Sequence, residues 1–387
     1  MNNYSNKLLI LRNITENGLI KALFEFRENG TNENYRNLLA QVYSNKAEKN
    51  FLSCVQDVIL RDVNAFSIAC ATTENPSAYL KKAYLGDLKI IFGALECAKN
   101  RKEFNFGKPL PIFEFGITES LIYDLEDFYR KNGFGQFIGN KAFEYVNDEF
   151  IPLKETDGVT LDKLKGYESE KKLIGNNIRD FLNGLPYSHM LLYGDRGTGK
   201  SSTIHAMLNA YCDTGLRIVE VDKEHIREIR KIKQRVADLP LKFIIFIDDL
   251  SLNEQDDKNS SLKAAIEGSL VGGRNVMIVA TSNRRHVVKE SLSDRENSVH
   301  LADSMEEQLS LSDRFGLTVM FSSTDKTSYL SIVRQLANDY ELKTNVNNLE
   351  ALAERWAIIN GGRSPRRAKQ FVDFVYACEQ SGRELEF

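Results

Sequence analysis

Residues 191–202 read LLYGDRGTGKSS. Gly194, four further residues, then Gly199, Lys200 and Ser201 reproduce the spacing of a Walker A phosphate loop. Glycines let such a loop turn so that successive backbone N–H groups point inward at phosphates, adding to the positive end of the helix that follows. A lysine at position 200 can bridge the outer phosphates, and the Ser201 hydroxyl can ligate Mg²⁺. The motif is short, so its setting matters. The apolar run 190–193 precedes it and STIHAMLNAY (202–211) follows, which is the strand, loop and helix order the chemistry requires. The expected phosphate-binding set is therefore Gly194, Asp195, Arg196, Gly197, Thr198, Gly199, Lys200, Ser201 and Ser202.

Around the loop the texture is α/β. Short β-branched and aromatic runs at 189–193, 216–222, 242–247, 275–281 and 317–321 alternate with helix-length segments, the pattern of a parallel sheet. From residue 324 onward, three segments return to helical spacing, with a Gly361–Gly362 break before the last. Up to about residue 157 the chain shows apolar residues at three and four residue spacings, as in ENYRNLLAQVY, interrupted by loops at FGKPLPIFEFG and NGFGQFIGN. That half reads as a helical scaffold or partner-binding domain without chemistry of its own.

Composition sets the outer limits. At 387 residues and 44.0 kDa the chain exceeds what one core usually serves. Its 42% hydrophobic and 27% charged content is ordinary for a globular protein, and a net charge of -3 gives no global sign of a nucleic-acid coat or membrane anchor. The N-terminal apolar run is too short for a signal peptide, and no stretch approaches the ~20 residues that span a bilayer. Five scattered cysteines signal neither a disulfide framework nor a zinc site. A soluble protein of the cytoplasm is expected.

Downstream of the loop, FIIFIDDLS ends an apolar run in Asp248 and Asp249. Acids end strands wherever a chain re-enters solvent. Here they stand 48 residues after Lys200, with one strand-helix unit between, where Asp248 would hold Mg²⁺ and Asp249 would polarise an attacking water. VMIVATSNRRH ends another run in Thr281, Ser282 and Asn283, polar groups suited to a γ-phosphate or a water. SLSDRFGL carries Arg314 ahead of the last strand, and GGRSPRRAKQF carries Arg363, Arg366 and Arg367 at the start of the final helix.

In this order the motifs resemble an AAA+ ATPase. More closely, LDKLKGYE, LLYGDRGTGKSS, FIDDLS, ATSNRRH, LSDRFGL and GGRSPRRAKQF together resemble an uncharacterised family of bacterial AAA+ proteins with a domain of unknown function. The SDRF and TSN elements are most similar to the initiator and helicase-loader branch. The resemblance implies a five-stranded parallel sheet flanked by helices and a C-terminal helical lid with ATP bound between them; with the mostly helical N-terminal half read above, the expected boundaries are 1–157, 158–322 and 323–387. It makes Asn283 a sensor 1 residue, with Ser282 adjoining, and Arg314 an arginine finger acting on ATP in a neighbouring subunit. Arg363 is the first choice for sensor 2 and Arg366 the second, while Gly166, Tyr167 and Glu168 fall where adenine packs. Most members carry Glu where this chain has Asp249. A carboxylate displaced by ~1 Å can cost on the order of a hundredfold in rate, which would slow hydrolysis.

The expected function is an oligomeric ATPase that uses ATP and Mg²⁺ to remodel a protein partner whose identity the residues do not reveal. The alternative is an ATP-dependent binding switch with little or no hydrolysis. A GTPase or small-molecule kinase is disfavoured, since no Asn-Lys-x-Asp motif and no acceptor site follow the loop. No aromatic-hydrophobic-glycine pore loop follows the second strand. The stretch there, DKEHIREIRKIKQRVADL, carries Arg227, Arg230, Lys231, Lys233 and Arg235. Glu224 and Glu228 are interleaved at helical spacing, which suits an ordinary exposed helix, so nucleic acid is not indicated. Self-association is expected, and no membrane contact.

Overall fold

In the computed structural model, residues 4–72, 75–154, 158–250, 257–267, 274–283 and 314–385 are described. Of the stretches singled out above, residues 251, 284–286 and 310–313 lie outside these. The chain divides into two units, Met1–Asn140 with Asp238–Leu241, and Lys141–Ala237 with Lys242–Phe387.

The first unit is helical: α1 Gly18–Asn29, α2 Asn32–Ser44, α3 Phe51–Arg61, α4 Ala65–Ala71, α5 Ala78–Ala98 and α6 Glu119–Asn132. Polar caps start most of them. The Asn17, Thr31 and Ser77 side chains accept first-turn amides, and Asn64 forms a reciprocal capping box with Ser67. Phe66 stacks on Tyr84 at 4.2 Å in the core, and the Tyr129 hydroxyl donates to the Leu60 carbonyl. Asp87, 1% exposed, accepts the consecutive amides of Leu9, Ile10 and Leu11 and so fixes the N-terminal segment onto α5.

The second unit holds one sheet. Its strands are β1 Ala142–Val146, β2 Glu149–Pro152, β3 Met190–Gly194, β4 Leu216–Glu220, β5 Lys242–Ile247, β6 Val276–Ser282 and β7 Leu317–Phe321. Their order is β2-β1-β4-β5-β6-β3-β7, parallel throughout except for the β1–β2 pair. Five strands were expected. The two extra ones form a hairpin at an edge, within sequence assigned above to the helical half. It turns through Asn147 and Asp148, both at positive φ (51° and 62°), as a two-residue hairpin requires.

Helices α7 Glu168–Leu182 and α8 Lys200–Tyr211 bury Ile174, Ile178, Phe181, Ile204, Met207 and Leu208 in a core shared with Leu192, Ile218, Ile244 and Phe246 of the sheet. Further helices are α9 Ile229–Val236 and α10 Asp257–Glu267. Three more, α11 Lys326–Asp339, α12 Val346–Ile359 and α13 Pro365–Ser381, close a separate core around Tyr329, Ala353 and Phe371. The chain leaves β3 towards β4, passing over β5 and β6, and later returns across β3 to reach β7. The carboxyl end of β3 therefore lies where connections diverge, the usual crevice for a ligand in an open α/β sheet.

Candidate nucleotide site

The phosphate loop leaves β3 at Gly194, whose φ is 131°. A Cβ there would fall 2.1 Å from the Phe321 carbonyl oxygen of β7, so only glycine fits. Gly197 (φ 78°) and Gly199 (φ 95°) complete the turn, and α8 begins at Lys200. The Lys200 ammonium is almost wholly buried and donates to the Gly194 carbonyl (3.0 Å), the Asp195 carbonyl (2.8 Å) and Asn283 Oδ1 (3.1 Å). Burial pushes its pKa down, opposed by the carboxylates of Asp195, Asp248 and Asp249.

A second network lies beside the first. Asp248 Oδ1 accepts from the Ser201 hydroxyl (2.6 Å) and from the Thr281 hydroxyl (2.5 Å), while Thr281 Oγ1 accepts the Asp249 amide (2.9 Å). Thr281, buried at the end of β6, thus ties both acids to the sheet. Asp249 sits at φ 51°, a left-handed conformation that Asp tolerates better than most residues. The Asn283 side-chain amide donates to its carboxylate. Asn283 therefore joins Lys200 to Asp249 through the two ends of one amide.

These groups line a cavity of about 600 Å³, within the range of small-molecule sites. Arg196, Gly197, Thr198, Gly199, Ser201, Ser202, Asp248, Asp249 and Asn283 form its floor; the segment containing Lys163, Leu164, Lys165, Gly166 and Tyr167 forms one wall; Ile332, Leu336, Pro365, Arg366 and Lys369 of the last helices form the other. The walls are tied together. Lys165 pairs with Asp339 at 2.7 Å, the Arg366 amide donates to the Gly197 carbonyl at 3.1 Å, and Tyr167 (φ 57°) packs its ring 5.0 Å from Phe321.

Not every expected residue meets here. Arg363 stands before α13 and makes a bidentate pair with Glu354 of α12, at 2.9 and 2.7 Å, away from the cavity lining. Arg367 donates to Gln370, Glu168 pairs with Lys171, and Ser282 is fully buried. Arg314 precedes β7 by a turn in which Gly316 abuts Ser188, ahead of β3. Because β7 runs parallel to β3 with Leu317 opposite Met190, Arg314 lies at the far end of the sheet from its own phosphate loop, roughly 16 Å along the strands. Sequence reasoning missed Lys165, Ile332 and Lys369, whose approach depends on how the last helices fold back.

Phosphate loop, paired acids at the neighbouring strand end, parallel sheet and C-terminal helices are those of an AAA+ P-loop ATPase fold. The chain belongs to the family described as Protein of unknown function (DUF815), which matches residues 139–379. No curated protein matches it. Among solved structures it is similar to the Thermotoga maritima RuvB Holliday junction branch migration motor, at 14% identity and a TM-score of 0.34 over 56% of this chain and 71% of that one. Two single-substitution variants of that protein match at 14% identity and a TM-score of 0.35, with the same 56% and 71% coverage. Among the described residues no helix is long and apolar enough to cross a membrane.

Proposed function

We propose that the protein is an ATPase that binds ATP with Mg²⁺ in the 600 Å³ cavity and couples its turnover to remodelling a protein partner as an oligomer in the cytoplasm. The observation that carries this reading is the Lys200–Asn283–Asp249 chain lying beside the Ser201–Asp248 pair. The groups fit the ligand. A buried ammonium faces the floor of the cavity, and a serine hydroxyl and a carboxylate stand within hydrogen-bond distance, the donor set of a hard cation. Mg²⁺ held by Ser201 and Asp248 would neutralise charge between the outer phosphates.

Lys200 would exchange its two carbonyl partners for phosphate oxygens. Asn283 would then hold Asp249 towards the attacking water, and Asp249 would orient that water and draw on its proton. Its left-handed backbone offers a physical reason for Asp in place of Glu, since a shorter acid with a local amide partner is easier to seat there. Arg366, in the cavity wall, is the better candidate than Arg363 for a lid arginine that reads the phosphates. Arg314, remote from its own loop, suits a finger that serves the site of a neighbouring subunit.

A binding switch is the second reading, favoured by the short Asp249 side chain. Phosphate release separates them. An ATPase gives sustained, Mg²⁺-dependent release beyond one phosphate per chain, lost in Asp249→Asn with ATP binding retained. Release that stops at one equivalent or less leaves the switch.

A further inference from the structure

We propose that Thr281 is a positioning residue that couples the two acids of the site, setting the Asp248 carboxylate for Mg²⁺ and the Asp249 carboxylate for water through one hydroxyl. This role rests on the ATPase reading and deepens it.

In sequence, the Thr281 hydroxyl suits a γ-phosphate or a water. Its bonds commit it elsewhere. Thr281 Oγ1 lies 2.9 Å from the Asp249 amide nitrogen and 2.5 Å from Asp248 Oδ1. An amide N–H only donates, an ionised carboxylate only accepts, and a hydroxyl has one proton to give. The proton of Thr281 therefore points at Asp248 and its lone pair at Asp249. The Ser201 hydroxyl donates to the same Oδ1 at 2.6 Å. Two hydroxyls, one from α8 and one from β6, thus hold one carboxylate oxygen.

The main chain explains why a single residue reaches both acids. Strands β5 and β6 run in register as far as Ile247 opposite Ala280. Beyond that pair the ladder ends. Asp249 turns left-handed at φ 51°, its amide goes to the Thr281 hydroxyl, and the Leu250 amide goes to the Thr281 carbonyl at 2.7 Å. A side-chain oxygen and a main-chain oxygen of one residue take two consecutive amides, and so hold the turn that presents Asp249. Asn283 holds the Asp249 carboxylate itself. Removing the Thr281 hydroxyl leaves that carboxylate its amide partner but frees the backbone that carries it.

Burial and shape keep the hydroxyl in place. Thr281 is 2% exposed, so bulk water does not compete for it, and its β-branch restricts χ1. Groups that orient a metal ligand from behind typically carry about 10- to 100-fold in metal affinity or activity.

The test separates Mg²⁺-free from Mg²⁺-dependent binding. The full chain is titrated with a fluorescent ATP analogue in EDTA and in Mg²⁺, melting is followed on the same samples, and phosphate release is measured at saturating nucleotide. Thr281→Val keeps the shape and removes the hydroxyl. Its binding in EDTA, which relies on Lys200 and the loop amides, should match that of the parent chain. The gain on adding Mg²⁺ should shrink about 10- to 100-fold, because Asp248 has lost a donor. Release at saturation should fall by about a hundredfold, because Asp249 is misplaced even when the cation is held. Thr281→Ser should recover most of both, short of the parent because its χ1 is freer. Should Thr281→Val not fold, Thr281→Cys, of similar size and with a weaker donor, should show losses of the same kind and smaller size. An undiminished Mg²⁺ gain in Thr281→Val, or equal weakening with and without Mg²⁺, overturns the proposal. So does a loss in Thr281→Ser as large as that in Thr281→Val. A parent chain that binds no ATP analogue, or gains nothing from Mg²⁺, sinks the ATPase reading and this role with it.

Discussion

Asp87 in the helical unit and Lys200 in the sheet unit are both charged groups withdrawn from water, 1% and 6% exposed, and both are held mainly by main-chain atoms. Asp87 takes three consecutive amides of one fixed segment and opens onto no described cavity. Lys200 takes two carbonyls and a side-chain amide at the floor of a 600 Å³ space, where phosphate oxygens can replace them. Burial with fixed partners makes a charge structural. Burial beside an open cavity makes it available for binding.

Reciprocal substitutions break the comparison most sharply. Lys200→Ala should lower turnover by about 100- to 1000-fold, with a smaller loss of stability than Asp87→Ala brings. Asp87→Ala should do the reverse. It strands three amides, that of Leu11 buried, and should cost about 3 kcal/mol in denaturant unfolding, with ATP affinity of the folded chain unchanged. Equal effects of both substitutions on stability would erase the distinction.

His189 is a third titratable group, half-buried ahead of β3, and sharpens the point through pH. Its Nδ1 accepts the Ile278 amide at 3.0 Å, and burial, then the nearby Lys233, lowers its pKa from 6.5 to about 4. The folded state keeps it neutral while the unfolded chain takes up a proton below pH 6.5. Stability from this group is therefore full above pH 6.5 and falls as pH drops towards about 4, by up to about 3 kcal/mol. His189→Asn, followed by urea unfolding across that window, should flatten this part of the profile.

The smallest effects separate two arginines. Arg366→Ala should weaken ATP binding about tenfold, the value of one charge-assisted contact. Arg363→Ala should leave it within about twofold and cost at most about 1 kcal/mol, since its pair with Glu354 is partly exposed. The opposite ranking would return the lid role to Arg363.

What the sequence made legible follows the range of the interactions. The loop, its flanking strand and helix, and the two acids are local patterns, and the residues around Lys200 and Asp248 could be named from spacing alone. The β1–β2 hairpin was also legible, because Asn147-Asp148 between alternating apolar residues is a turn signal; the helical texture before it masked the change of period. The choice between Arg363 and Arg366 was not legible. It depends on Ser364 capping α13, which sends Arg366 into the wall, and on Glu354 arriving from another helix to hold Arg363.

The proposed completion of one chain's phosphate loop by another chain's Arg314 is tested most directly by subunit mixing. Arg314→Ala retains its own loop, and Lys200→Ala retains its arginine. Mixed together, the two inactive proteins should regain phosphate release well above the sum of the separate samples, because some interfaces then pair an intact loop with an intact arginine. Release equal to that sum, under conditions where light scattering shows mixed oligomers, would contradict the account.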